Sequence, residues 1–154
     1  MTTPNALRAL ADRVEAGENG REIDAEVMAQ FYRRGERHIG VYDDATDEPV
    51  MSDVWIDPAT DKWVGTHARE FTSSLDAVEA LRVRLVPLSR WVCVRHRFKD
   101  DGNVSWTFHA ALFSEDGAFP VTVSGNAPTE PLARLAAALR AYAAQIEETS
   151  NAGN

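Results

Sequence analysis

An α+β protein, with an antiparallel sheet of three or more strands packed between helices as an α/β/α sandwich, is what this chain predicts. Three observations carry the prediction. Residues 71–147 read in the order helix, strand, strand, strand, helix. The two longest strand-like runs alternate their apolar residues with period two, and the closing segment repeats Leu132, Leu135, Leu139, Tyr142 and Ile146 at spacings of three and four. With 154 residues, one such domain buries about 70% of its unfolded surface without staples. The expected division is a single domain over residues 1–148: N-terminal helices to residue 32, an acidic irregular or hairpin insertion at 38–70, and a core at 71–147. Residues 149–154 are expected to form a disordered tail.

In chain order, Asn5 is positioned to cap a first helix that carries Leu7, Leu10, Ala11 and Val14 on one stripe and ends at Gly17. Glu18-Asn19-Gly20 is turn chemistry. A second helix from about Arg21 to Gln30 presents Ile23, Val27 and Phe31. Arg33-Arg34-Gly35-Glu36-Arg37 then breaks the periodicity. Inside the acidic insertion, Val54-Trp55-Ile56-Asp57 and Lys62-Trp63-Val64 flank Pro58-Ala59-Thr60, which predicts a hairpin with a type I turn at Asp-Pro. A register that sets Trp55 opposite Trp63 would place two large aromatics on one face.

Ser73 or Ser74 caps a third helix, with Asp76 in its first turn and Leu75, Val78 and Leu81 on its buried side; Pro87 marks its end. In the strand from Trp91 to Phe98, the residues Val92, Val94, His96 and Phe98 share one face, and Trp91, Cys93, Arg95 and Arg97 the other. Asp100-Asp101-Gly102-Asn103 is a hairpin turn. The returning strand alternates Val104, Trp106, Phe108, Ala110 and Leu112 with Ser105, Thr107, His109, Ala111 and Phe113. Ser114-Glu115-Asp116-Gly117 turns again, and Phe119, Val121 and Val123 suggest a third strand. Thr129 caps the last helix, where Pro131 is tolerated in the first turn. No internal repeat stands out.

Charge narrows the function. Of the net −8, residues 1–72 contribute −7, from 8 Lys+Arg against 15 Asp+Glu. Such a balance favours solubility and repels phosphate backbones, so nucleic acid is a disfavoured partner. The single cysteine, Cys93, cannot form an internal disulfide. There is no signal-peptide pattern after Met1 and no run of about 18 apolar residues. A cytoplasmic location in a host cell is therefore expected, without a membrane partner.

Chemistry-bearing motifs are missing. His38, His67 and His109 lie in separate elements from one another and from Cys93 and His96, which point to opposite faces of one strand, so no metal site is expected. No nucleophile elbow, phosphate loop or paired-cysteine motif is present, and no catalytic or cofactor-binding residue is assigned. Two surfaces remain. Asp43, Asp44, Asp47, Glu48, Asp53, Asp57 and Asp61, with Trp55 and Trp63, form a candidate protein interface: spaced carboxylates imitate a phosphate backbone, and tryptophans make hot spots. Arg95 and Arg97, sharing a strand face with Trp91, form a candidate anion or nucleic-acid face. The alternative readings are that the acids belong to a solvated loop and that the arginines neutralise the acidic half.

Several segments also resemble a family. Glu70-Phe71-Thr72-Ser73-Ser74-Leu75-Asp76-Ala77, then Leu85-Val86-Pro87 and Trp91-Val92, resemble the Y-T-x-S-L-D-A-A…L-V-P…W-x-V signature of the phage ABA-sandwich domain. Thr129 to Ala141 is similar to that family's T-P-A-L-A-L-x-A-A-A-L-R-A helix, and Arg13 to Ala25 to its E-A-A-x-G-x-D-R-E-L-D-A entry. The matches touch most of the chain outside about residues 31–68. The resemblance implies a phage or prophage origin and an α/β/α layering in which N-terminal helices cover the sheet face left open by the C-terminal ones. It brings no catalytic residues.

The expected function is thus a phage-encoded, non-enzymatic protein-binding module, an inhibitor of a host defence factor acting through its acidic surface. The alternatives are a nucleic-acid-binding accessory protein using Trp91, Arg95 and Arg97, and an enzyme of unrecognised type. The oligomeric state is open.

Overall fold

The computed structural model describes residues 2–86, 91–112 and 121–152. The expected turn at Ser114–Gly117, together with Pro87, Phe113 and Phe119, lies outside them, as do the side chains of Trp91, Val92, Cys93 and Val94.

The class is α+β, with four helices and two three-stranded antiparallel sheets among the described residues. Helix α1 spans Pro4–Glu15. Its cap is Thr3, not Asn5: the Thr3 hydroxyl accepts from Ala6 N at 3.2 Å and Pro4 takes the first helical position, where its missing N–H costs nothing. Leu7, Leu10, Ala11 and Val14 are buried, as their spacing predicts. Helix α2 spans Arg21–Phe31 and buries Ile23, Val27, Met28 and Phe31.

The stretch expected to be irregular is a sheet. Strands β1 (Arg33–Tyr42), β2 (Pro49–Ile56) and β3 (Trp63–Gly65) form an antiparallel meander. Strand β1 escapes a periodicity reading because it is an edge strand with few apolar residues; Arg33, Arg34 and Glu36 are all exposed. Both meander turns use one hexapeptide device, Asp43-Asp44-Ala45-Thr46-Asp47-Glu48 and Asp57-Pro58-Ala59-Thr60-Asp61-Lys62. In each, the first Asp carboxylate accepts a backbone N–H two residues on at 2.9 Å, and the fifth residue is an Asp with φ near +54. Each closes through the N–H of its first residue, Asp43 N to Glu48 O and Asp57 N to Lys62 O, both at 2.9 Å, and through the N–H of its fifth, Asp47 N to Asp43 O at 2.9 Å and Asp61 N to Asp57 O at 2.8 Å. The Asp-x-Ala-Thr-Asp pattern thus recurs fourteen residues on, a short internal repeat where none is expected.

The second turn also corrects the tryptophan register. Because Asp61 adds a left-handed residue, Ile56 faces Trp63, and an irregularity then sets Trp55 opposite Gly65. Trp55 is buried in the core, whereas Trp63 is 49% exposed, so they do not share a face.

Helix α3 (Leu75–Leu85) is capped by Ser74 and buries Val78, Leu81 and Leu85; Leu75 is exposed, contrary to expectation. Strands β4 (Trp91–Asp100), β5 (Asn103–Leu112) and β6 (Val121–Ala127) make the second sheet, in that order. The β4–β5 turn is Asp101-Gly102, both at positive φ, as a two-residue hairpin requires. Helix α4 runs from Glu130 to Ala152. The expected disordered tail is helical to that point, with the Thr149 and Ser150 hydroxyls donating back to Ile146 O at 2.9 and 2.8 Å.

The layering departs from expectation in one respect. Helix α4 buries Leu132, Ala133, Leu135 through Leu139, Ala141 and Ala143, which is most of its circumference, so it needs partners on two sides. The sheet takes one side through β5 and β6; α1 and α3 pack on it elsewhere. Helix α1 therefore packs along α4 instead of covering the far sheet face. There His96, Phe98, His109, Thr122, Ser124 and Asn126 are exposed. Strand β6 meets α4 at Gly125, where an added Cβ would lie 2.0 Å from Ala133 O. The outer edge of β6 is sealed by side chains: Glu15 accepts from Asn126 N at 2.5 Å, and Arg140 donates to Ser124 O at 2.6 Å while pairing with Glu15 and Asp12.

Candidate protein interface

Two halves of the β1–β2 hairpin differ in chemistry. At the base, β2 buries Val54, Trp55 and Ile56, and every candidate carboxylate there meets an arginine. Arg84 of α3 forks onto Asp57 at 2.7 and 2.9 Å and lies 4.5 Å from the centre of the Tyr32 ring. Asp61 takes Arg33 and, at 3.2 Å, Arg37; Asp53 lies 3.6 Å from Arg34, whose guanidinium covers Trp55 at 4.9 Å. Arg84, with Ala59 N–H, holds the Asp57 carboxyl down at about 2. The insertion looks unanswered along the chain, but β1 and α3 answer its lower half.

The distal half has no such cover. Among the described residues no ion pair engages Asp43, Asp44, Asp47 or Glu48. Asp43 is held below the usual carboxylate range by the N–H groups of Ala45 and Thr46 and the Thr46 hydroxyl, so it is a turn residue as well as a charge. Beside these acids Val41, Tyr42 and Met51 are 52, 54 and 53% exposed. A register shift between His38 and Tyr42, with Gly40 at φ +85, re-aims this end of β1. His38 packs edge-on to Tyr42 at 4.8 Å and its ring nitrogen contacts Val41 O at 3.1 Å, which orders the turn. The sequence reading found the acids and missed Val41, Tyr42 and Met51; the signal was the apolar pair immediately before the first copy of the turn motif.

The arginine candidates do not form one patch. Arg95 and Arg97 sit on the α4 side of the sheet, where Arg95 pairs with Glu130 at 2.9 Å and Arg97 lies 5.7 Å from the Trp106 ring. Trp91 pairs with Leu112 at the other end of β4, about 20 Å from Arg97 at ~3.4 Å per residue. Glu130 also holds Arg134 at 2.9 Å, so the cationic face is compensated.

Two adjoining clefts of about 600 and 560 Å³ share Arg21, Asp24 and Glu70, with His67, Arg34 and Thr66 in the second. Asp24 is buried, and desolvation pushes its carboxyl up. It accepts Thr72 N–H at 2.9 Å, while Thr72 Oγ1 accepts Gly20 N–H at 3.1 Å. The group thus pins the turn before α3 to the start of α2. Among the described residues no three His, Cys, Asp or Glu gather as metal ligands, and no helix is long and apolar enough to cross a membrane.

No protein-family model matches the chain, and no curated protein or solved structure shows significant similarity to it.

Proposed function

We propose that the protein is a non-enzymatic binding module that engages another protein through the distal end of the β1–β2 hairpin. The supporting observation is the contrast along that hairpin: arginines neutralise the acids at its base, while among the described residues no ion pair engages Asp43, Asp44, Asp47 or Glu48 around exposed Tyr42, Val41 and Met51. Carboxylates around an aromatic anchor suit a basic groove with an apolar floor. The chain's resemblance to a phage family supports a host protein as the partner, and a defence factor with a nucleic-acid groove, met in the cytoplasm, has the required charge. Competition for that groove would then inhibit the factor.

Affinity capture from host lysate tests this. The intact chain should retain a partner at low salt and release it at high salt. Tyr42→Ala should weaken capture by about thirtyfold, the effect of one hot-spot aromatic. Asn and Gln replacements at the four acids should abolish the salt dependence. Equal capture by wild type and both variants would refute the proposal.

A further inference from the structure

The sheet face turned away from α4 carries a signal independent of the hairpin. Among the residues whose side chains are described, it consists of positions 96 and 98 of β4, alternate positions 105–111 of β5 and 122–126 of β6. None of these nine positions holds Asp, Glu, Lys or Arg, whereas the chain's 26% charged content would place about two there. An open face meant only for solvent collects charge; this one presents Ser, Thr, Asn and a ridge of rings. His96 lies 6.0 Å from Phe98 along β4 and 6.0 Å from His109 across the strands, and Phe98 is 54% exposed.

We propose that this face is the contact between two copies of the chain, packed sheet on sheet with each α4 on the outside. The charge distribution selects the occupant. Nucleic acid needs cations, but Arg95, Arg97 and Lys99 alternate onto the other side of β4. A strongly charged protein finds no opposite charge. Two copies of a −8 chain repel unless they meet where neither is charged, and this face provides that place. The area limits its strength. At most seven residues by three strands is roughly 23 by 14 Å, so two facing sheets cover about 640 Å² in all, within the range of small, transient contacts. The dimer is therefore a weak one, with a micromolar dissociation constant.

Sedimentation equilibrium of the full chain between about 1 and 300 µM tests it over the range where such a contact assembles. The mass should rise from 17.0 kDa toward twice that value. Phe98→Glu and, separately, His109→Glu, both at exposed positions, should raise the dissociation constant about a hundredfold, tenfold for each of the two copies. Tyr42→Ala, in the hairpin, should leave it unchanged. A constant monomer mass, a dimer that survives both face variants, or a dimer dissolved by Tyr42→Ala would overturn the proposal.

Discussion

Replacing Gly125 with Ala should be the most damaging single-methyl change in the protein. The methyl carbon would lie 2.0 Å from Ala133 O and 2.9 Å from Ala137 N. Both are backbone atoms of α4, so neither can swing aside as a side chain would. A carbon–oxygen contact near 3.2 Å requires β6 and α4 to separate by about an ångström, along a helix whose alanines pack without slack. Overpacking of a core costs about 1–3 kcal/mol where side chains adjust, and a backbone clash belongs at or above the upper value. At about 3 kcal/mol, a chain of this size should lose roughly 6–12 °C in Tm. The control is Gly102→Ala in the β4–β5 turn, where φ is +85 and nothing lies within 4 Å of the added methyl. That variant suffers backbone strain alone, about 1 kcal/mol. Thermal unfolding followed by far-ultraviolet circular dichroism measures both. If Gly125→Ala melts within 2 °C of wild type, or loses no more than Gly102→Ala, the close approach of β6 to α4 is wrong.

Other consequences follow from the same contacts. Arg140→Ala removes a guanidinium bound to Ser124 O, Glu15 and Asp12, and should cost about 2 kcal/mol in urea unfolding, because a sheet edge and a partly buried carboxylate lose their partner together. Thr3→Ala deletes the α1 cap and should cost about 1 kcal/mol, whereas Asn5→Ala should be nearly neutral. Asp57 has a folded pKa of about 2, below its unfolded value near 4. Its stabilising contribution is complete above pH ~4 and disappears as pH falls through 2. Asp57→Asn keeps the turn acceptor and loses the charge, so its stability deficit should shrink to zero between those two values in an acid titration. Tyr42→Ala should change stability by less than 0.5 kcal/mol, since its side chain is exposed; a larger loss would mean that the hairpin end is structural.

Legibility in the sequence varied with how local the deciding physics is. The α1 stripe, the Ser74 cap, the β4–β5 turn at Asp101-Gly102 and the α4 leucine repeat are all decided within one turn of chain, and each is where the residues place it. Strand β1 was not legible. Arg33, Arg34 and Glu36 have no apolar period, and their partners Trp55 and Asp53 lie about twenty residues away. The candidate interface was half legible: its acids stand out by composition, but which of them are neutralised depends on Arg84 and Arg33 arriving from other elements.

The residues alone determined the class, the helices, the two facing sets of β4 and β5 side chains, and the acidic character of the first half. Spacing, capping and turn chemistry act over a few ångströms of chain, so they survive without knowledge of the fold. Only tertiary structure decided that α4 lies between the sheet and α1, that Asp61 shifts Trp55 away from Trp63, and that one end of a single hairpin is neutralised while the other is not. Those outcomes depend on where distant backbones come to rest, and packing of buried surface sets that position for the whole chain at once.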